Sequence, residues 1–488
     1  MSTPTAKFTT GSTMKHVVVM TVTSSMGLLA LFLVDAINLL YISMLGVTEL
    51  AAAIGFAGTL QFFMISVTVG LLIAGTAVVS RAIGAGEGDR ARRLAGSSLL
   101  TAFAFMGVVG AVIWVFRREA LMLLGAQGEA LEQGTLFLAI SLPSVPLIGI
   151  GMSCSGTLRA MGEARQAMYV TLLGGAVAAV LDPLLIFGLD LGLVGAAMAI
   201  VLTRLSIAML GLYLVVVKHD MIEFPGLPGF IADIRPIAVI AGPAMLTQLS
   251  TPFGNAYLTT IVAEHGDDAV AGWAVIGRMT ALAFGGIFAL SGAIGPIIGQ
   301  NYGAKLWPRI ASAYRDGLIF ATVYVLTAAV LLRLLTPFVV EGFSLTGDGA
   351  EILTTFTRFT AFAFVFTGAL FCANAAFNNL RRPLMSTVFN WSRDAVAIPL
   401  LAFGFAGSLG PTSAVWIQAV AVALVGTAAA ITGWVTVRRI AGRELAPGLG
   451  AVPDIPPVPA FASGRAVTGF HPGVNAASRG LASEEQSR

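Results

Sequence analysis

The chain has 488 residues, of which 57% are hydrophobic and only 11% are charged. Soluble domains carry about 25% charged residues, so this composition excludes a water-soluble globular fold and indicates a polytopic membrane protein. The net charge of +3 at pH 7 gives no sign of a nucleic-acid partner. No metal-ligand spacing, nucleophile–base set or nucleotide-binding motif occurs in the sequence, so the chain is expected to be neither an enzyme nor an ATP-driven pump.

The sequence contains twelve apolar segments, and a helix needs about 20 apolar residues to cross a bilayer. We therefore predict an all-α membrane protein with twelve transmembrane helices. The predicted segments are residues 17–45, 50–82, 95–117, 133–160, 165–188, 192–217, 236–263, 269–300, 312–341, 352–379, 383–405 and 411–437.

Lys and Arg are concentrated in every second connection between these segments. Four arginines lie at the end of segment 2 and directly after it, within 81–93, and two more are at 381–382, whereas connections such as EHGDD at 264–268 have none. Because basic residues favour cytoplasmic loops, this alternation predicts that both termini lie in the cytoplasm.

The chain also resembles itself at an offset of about 216 residues. Residues 162–188 align without gaps on 378–404, and a second echo pairs 80–100 with 299–319. Six segments precede the offset and six follow, so the repeats run parallel and are related by an axis along the membrane normal. The predicted organisation is a cytoplasmic N-terminus 1–16, six-helix bundles 17–217 and 236–437, a cytoplasmic linker 218–235 and a disordered tail 438–488.

Two acidic residues lie inside apolar segments. Asp35 is in LALFLVDAINLLYISML and Asp182 is in GGAVAAVLDPLLIFG. A carboxylate at the bilayer centre costs about 2.5–3.5 kcal/mol on insertion scales, so such a residue indicates a proton or cation pathway. The alternative is a structural acid that forms hydrogen bonds between helices. Asn38 lies one helical turn from Asp35 and extends its polar face.

Other polar or charged residues in the segments are candidates for lining a substrate cavity. In the N-terminal half these are Gln61, with Phe62 beside it, and Ser155. Arg204 could pair with Asp182 or Asp35 and keep that acid ionised. In the C-terminal half Asp394 is expected to need a basic partner, which Arg278 or Arg358 could supply, because the neighbouring Arg393 would face away on an α-helix. A charge pair that locks two helices is the competing interpretation.

Three motifs together resemble the multidrug and toxic compound extrusion (MATE) family, over roughly residues 15–440. They are VDAINLLYISMLGVTELAAAIGFAG, SRAIGAGEGDRARRLAG and the run from LRAMGEARQ to MAIVLT across segments 4 to 6. The resemblance implies a secondary antiporter of the bacterial inner membrane that exports organic compounds, mostly lipophilic cations, by alternating access. It implies a monomer without cofactor, driven by a proton gradient or by Na⁺.

Within that family the chain resembles the proton-coupled branch of DNA-damage-inducible protein F. This resemblance implies that Asp35 and Asp182 are the coupling acids. It also implies that Ser155 and Ala178 replace two asparagines of the family, and that Ile200 replaces a threonine. The sodium-coupled branch has acids in segments 7 and 10, which lack them here, so protons are favoured over sodium. The polar residues of those segments, Gln248, Asn255 and Asn374, are further cavity candidates.

Two other functions stay open at this stage. A lipid-linked oligosaccharide flippase or an organic-anion exporter of the same superfamily would need a basic cavity, which Arg278, Arg358 and Arg393 could provide. The expected partners are small organic cations, protons and the lipid bilayer, with no nucleic acid.

Overall fold

A computed structural model of the chain describes residues 5–44, 48–405 and 407–442, without the side chains of 31–49 and 51. The described residues form helical spans joined by short turns, with no strand. We number the spans α1 Thr13–Met44, α2 Thr48–Gly84, α3 Gly88–Val115, α4 Gly128–Ala160, α5 Ala164–Gly188, α6 Gly192–Lys218, α7 Leu227–Ala263, α8 Asp267–Ala283 with Gly285–Gly303, α9 Trp307–Gly342, α10 Gly347–Arg358 with Thr360–Asn379, α11 Pro383–Trp391 continuing through Ser392–Ala397 to Ile398–Phe405, and α12 Gly410–Ala441.

The predicted all-α class and the order of the twelve spans are confirmed. Within the described residues nine helices are long and apolar enough to cross a membrane, and α8 is a tenth if its bent pair counts as one span. Several helices begin earlier than predicted: α3 begins at Gly88, α9 at Trp307, and α7 at Leu227, inside the predicted linker 218–235. The apolar pattern marks only the lipid-facing length, whereas these first turns continue beyond it. The predicted tail 438–488 lies outside the described residues from 443 onward.

Several spans depart from regular α-helix at positions that the sequence partly explains. A 3₁₀ turn, Leu142–Ser144, interrupts α4; Pro143 lies within it, and Pro146 is in the first turn of the helix that follows. In α5, Pro183 is followed by a π-helical turn over Leu184–Gly188. In α11 a π-helical turn covers Ser392–Ala397. Turns of this kind are often found at functional sites, because they redirect side chains.

The described part of the chain has two large hydrophobic cores, one for each half. The first helix of each half begins against the core of the other half. Val17 and Met20 of α1 are buried in the C-terminal core, whereas Ile237 and Ile240 of α7 are buried in the N-terminal core. Further along, Leu258 of α7 joins the C-terminal core. The halves are therefore joined by two helices that each contact both of them.

The helix positions revise the internal repeat. Equivalent helices α5 and α11 begin at Ala164 and Pro383, which are 219 residues apart, rather than about 216. With this offset Asp394 corresponds to Gly175 and not to Ala178, and Asp35 corresponds to Gly254. The gap-free alignment of 162–188 on 378–404 was therefore wrong by three residues.

Candidate transport site

The two halves are in tight contact at one end of the molecule. We call it the linker end, because it carries the connection between α6 and α7. Residues 74–80 of α2 and 293–301 of α8 are buried on every side there. A Cβ atom added to Gly84 would overlap the backbone of Gln300, and one added to Gly303 would overlap the backbone oxygen of Arg81. Small residues on both helices thus allow the backbones to touch, and the space between the halves is closed at this end.

The segment before α1 crosses this closed contact. The backbone N–H of Phe8 donates to Gln300 Oε1 at 2.9 Å, and Arg309 Nη2 donates to the Phe8 carbonyl oxygen at 2.9 Å. Phe8 itself is buried. Lys7 forms an ion pair with Glu163 of the N-terminal half. Residues of both halves therefore hold the N-terminal segment, a contact that the apolar pattern of the sequence did not indicate.

The connection between the halves is attached to the N-terminal half. Arg93 of α3 donates to both carboxylate oxygens of Asp233, at 3.0 and 3.2 Å. Ser97 Oγ donates to the same carboxylate at 2.8 Å. Asp233 is only 3% exposed and belongs to the first part of α7. The beginning of α7 is therefore fixed to α3, although α7 opens the C-terminal half.

Asp182 lies where the regular helix of α5 ends. It is 5% exposed, and Pro183 and the π-helical turn follow directly. The backbone of α1 is helical through Asp35 and Asn38, whose side chains lie outside the described residues. The structure thus places one of the two predicted coupling acids at a helix break in the apolar interior.

Arg204 of α6 does not bind in the way that the sequence suggested. It is 6% exposed, and its guanidinium donates to Gln61 Oε1 at 2.7 Å, Ser144 Oγ at 2.9 Å and the Ser141 carbonyl oxygen at 3.0 Å. These three acceptors carry no charge. Gln61 is therefore a partner of Arg204, and the N-terminal half contains a buried cation held by neutral groups.

In the C-terminal half, Asp394 pairs with its sequence neighbour. Arg393 Nε donates to Asp394 Oδ1 at 2.7 Å, and Nη2 donates to Oδ2 at 2.6 Å. The expectation that Arg278 or Arg358 would be the partner was wrong, because both side chains are exposed. Neighbouring side chains diverge on a regular α-helix, but these two lie in the π-helical turn of α11, and the long Arg side chain can fold back.

The remaining candidates fall into buried and exposed groups. Asn374 is buried and accepts a hydrogen bond from Asn390 Nδ2 at 3.1 Å, and Asn390 is a polar residue that the sequence reasoning missed. The other candidates are Ser155, which is buried, Ala178, Ile200 and Gln248, which are half-buried, and Phe62 and Asn255, which are exposed. Among the residues that the structure describes, no group of three or more His, Cys, Asp or Glu could hold a metal ion.

A family model described as MatE matches the chain twice, at residues 24–184 and 243–403. The chain belongs to the MATE family. The two matches are 219 residues apart at both ends, which agrees with the offset between the helices of the two halves. As a member of the family it is a multi-pass membrane transporter, and the predicted family is confirmed.

Among curated relatives, the chain is 28% identical over 371 residues to the FAD transporter of Shewanella oneidensis, which covers 75% of this chain and 82% of the relative. It is 23% identical over 401 residues to the multidrug export protein MepA of Staphylococcus aureus, covering 80% and 87%. A crystal structure of a mutant of the Vibrio cholerae MATE transporter VcmN matches with a TM-score of 0.82 and 25% identity, covering 88% of this chain and 97% of the other.

Proposed function

We propose that this MATE transporter is a proton-coupled antiporter that exports organic compounds, mostly lipophilic cations, from the cytoplasm by alternating access. Asp35 and Asp182 are its proton and cation sites. The linker end, with both termini, faces the cytoplasm of a bacterial inner membrane, in accord with the basic residues of its loops.

The observation that carries this proposal is the position of Asp182. A carboxylate that is 5% exposed in an apolar span is costly, and membrane proteins keep such groups chiefly for ion or substrate pathways. The break after Pro183 lies beside it, so a change in the charge of Asp182 can act directly on the shape of α5. The relative MepA is a multidrug export protein, which supports the export of organic compounds.

The closed linker end corresponds to one of the two states that alternating access requires. An ionised Asp182 or Asp35 attracts a lipophilic cation that enters from the cytoplasm. The halves then rock, the linker end closes, and a proton from outside neutralises the carboxylate, so that the cation leaves. The protonated carrier returns. Coupling arises because proton and cargo compete for one charge and favour different states.

The test is uptake of a cationic dye into inside-out vesicles under a proton gradient alone or a sodium gradient alone. We expect the proton gradient to drive uptake, and Asp182→Asn and Asp35→Asn each to abolish it. Asp190→Asn is the matched control, because Asp190 is an exposed acid of the same half. Wild-type uptake by both Asn variants, or uptake driven only by sodium, would refute the proposal.

Arg204 favours a second candidate, the export of organic anions. Among the described residues the partners of its buried guanidinium are neutral groups, so an anionic cargo group could take their place. The relative from Shewanella oneidensis is an FAD transporter, and FAD carries phosphate groups.

For this candidate we would measure FAD uptake in the same vesicles. Arg204→Gln should lower FAD uptake by about tenfold or more, because the loss of a hydrogen bond to a charged group weakens binding by at least that factor. Arg333→Gln, at an exposed position of α9, is the control. FAD uptake that is absent from the wild type, or unchanged by Arg204→Gln, would exclude anion export through this residue.

A further inference from the structure

The two halves place their acids at different positions of the repeat. With the offset of 219 residues, Asp35 of α1 corresponds to Gly254 of α7, and Asp182 corresponds to Leu401. The C-terminal half therefore lacks an acid at either of the positions that carry one in the N-terminal half. One of its own buried acids, Asp394, comes from α11, the equivalent of α5, but at the position of Gly175 rather than of Asp182.

Asp394 nevertheless lies against the position that corresponds to Asp35. A Cβ atom added to Gly254 would be 2.7 Å from Asp394 Oδ1 and 3.0 Å from its Cβ. Gly254 is buried, so only the absence of a side chain there leaves room for this carboxylate. The C-terminal half thus also has a carboxylate at this position of its first helix. In the N-terminal half the carboxylate, Asp35, belongs to the helix itself, whereas Asp394 comes from a neighbouring span.

The cation bound to that carboxylate is part of the chain. Arg393 contacts both oxygens of Asp394 in a bidentate pair and also donates to Thr251 Oγ1 of α7 at 3.2 Å. Both charged residues are at most 9% exposed. Planar, bidentate contact is the geometry with which a carboxylate binds a guanidinium or amidinium ligand. The Arg393 side chain therefore occupies the place that an organic cation would take.

We propose that Asp394, Thr251 and Gly254 form a second cation site, specific for the guanidinium and amidinium class, which Arg393 keeps occupied from within the chain. Without the Arg393 side chain the site binds a free guanidinium ion. A consequence, which rests on the proposed function, is that Asp394 takes no part in coupling, which depends on the acids of the N-terminal half.

The experiment measures thermal unfolding of the purified transporter in detergent against increasing ethylguanidinium, at concentrations far below those that denature proteins. Arg393→Ala should show a saturable rise in Tm of about 1–3 °C. The wild type should show none, because its own guanidinium fills the site. Arg393→Ala combined with Asp394→Asn, and the exposed-site control Arg333→Ala, should show none either. The readout does not involve transport, so it is independent of the coupling proposal.

Arg393→Ala leaves a buried carboxylate without its partner and can prevent folding. In that case the variant is purified with ethylguanidinium present throughout, and in parallel with the same concentration of sodium chloride. Folded, monodisperse protein with ethylguanidinium alone supports the site. The proposal is overturned if neither salt yields folded protein or both do so equally, if the rise in Tm is the same in the Asp394→Asn double variant, or if the wild type responds as strongly.

Discussion

The N-terminal and C-terminal halves are built from equivalent helices but differ in the partners of their buried charged side chains. In the N-terminal half the buried charges Asp182 and Arg204 lie on different spans, and the partners of Arg204 among the described residues are neutral. In the C-terminal half Arg393 and Asp394 neutralise each other on one turn. Close to this pair along α11, Asn390 donates a hydrogen bond to Asn374 of α10, a contact between two neutral amides.

Under the proposed function, this difference is the reason why coupling is confined to one half of a repeated fold. A bidentate pair in a low-dielectric interior is held firmly, because separating it would leave two uncompensated charges. A cation bound by neutral groups can exchange those partners at lower cost. The proposal therefore assigns the response to a ligand or a proton to the N-terminal half and a structural role to the Arg393–Asp394 pair of the C-terminal half.

The largest expected effect comes from breaking the pair of the C-terminal half. Arg393→Met should lower the free energy of unfolding by about 3–5 kcal/mol, because Asp394 is left charged and buried. Arg393→Met with Asp394→Leu should restore most of that loss. Arg204→Met is the comparison in the N-terminal half and should cost only about 1–3 kcal/mol, since neutral acceptors lose their donor. Denaturant unfolding in detergent measures all three, and equal losses in Arg393→Met and the double variant would contradict this account.

The next effect concerns the contact between the halves. Gly303→Ala should overlap the Arg81 backbone and oppose closure of the linker end, at a cost of about 1–3 kcal/mol. Transport should fall by about tenfold. Gly277→Ala on the same span is the matched control, because a Cβ there meets no atom within 4 Å. The contact plays no part in transport if both variants transport equally well.

A smaller effect is expected where α7 is attached to the N-terminal half. Asp233→Ala removes three hydrogen bonds and should cost about 2 kcal/mol, moderated because Arg93 is half-exposed and can be hydrated. Hydrogen exchange should speed up across residues 219–240 but not across 307–318 at the start of α9. Faster exchange in both regions would mean general destabilisation rather than loss of a local attachment.

The smallest effect concerns His219 at the linker end. Burial lowers the pKa of His219 from its usual 6.5, with Lys218 and Lys7 adding to the shift and Glu163 opposing it. Because the unfolded chain binds the proton more readily, His219 should not affect the free energy of unfolding above about pH 6.5. Below about pH 6.5 it should lower the free energy of unfolding as the pH falls. His219→Gln should flatten that dependence between pH 5 and 7. An unchanged pH profile in the variant would assign the effect to another group.

Much of the fold could be predicted from the sequence, because apolar length and the positions of Lys and Arg follow directly from the bilayer. The alignment of 162–188 on 378–404 was wrong by three residues, since apolar helices resemble one another at several registers, whereas the echo of 80–100 on 299–319 has the observed offset of 219. The packing of the beginnings of α1 and α7 against the core of the other half was missed, because hydrophobicity does not specify which core a helix joins. The contacts of the N-terminal segment with Gln300 and Arg309 were missed because they are polar and join residues that are distant in sequence.

The candidate site was predicted less completely than the fold. Asp182 is buried where a coupling acid was expected, but the partners of Arg204 and Asp394 could not be foreseen. The acceptors of Arg204 come from two other spans, α2 and α4. The partner of Asp394 depends on a π-helical turn that no residue pattern predicted. Gly254 gave no signal of its own, because its importance depends on the carboxylate that lies against it.

The measurement that tests the central claim most directly is the number of protons released when the purified transporter binds a cationic dye, determined with a pH indicator in weak buffer. The account predicts that Asp182→Asn reduces this number and that Arg393→Met with Asp394→Leu leaves it at the wild-type value. Unchanged release in Asp182→Asn, together with loss of release in the Arg393 and Asp394 double variant, would place coupling in the C-terminal half and contradict the account.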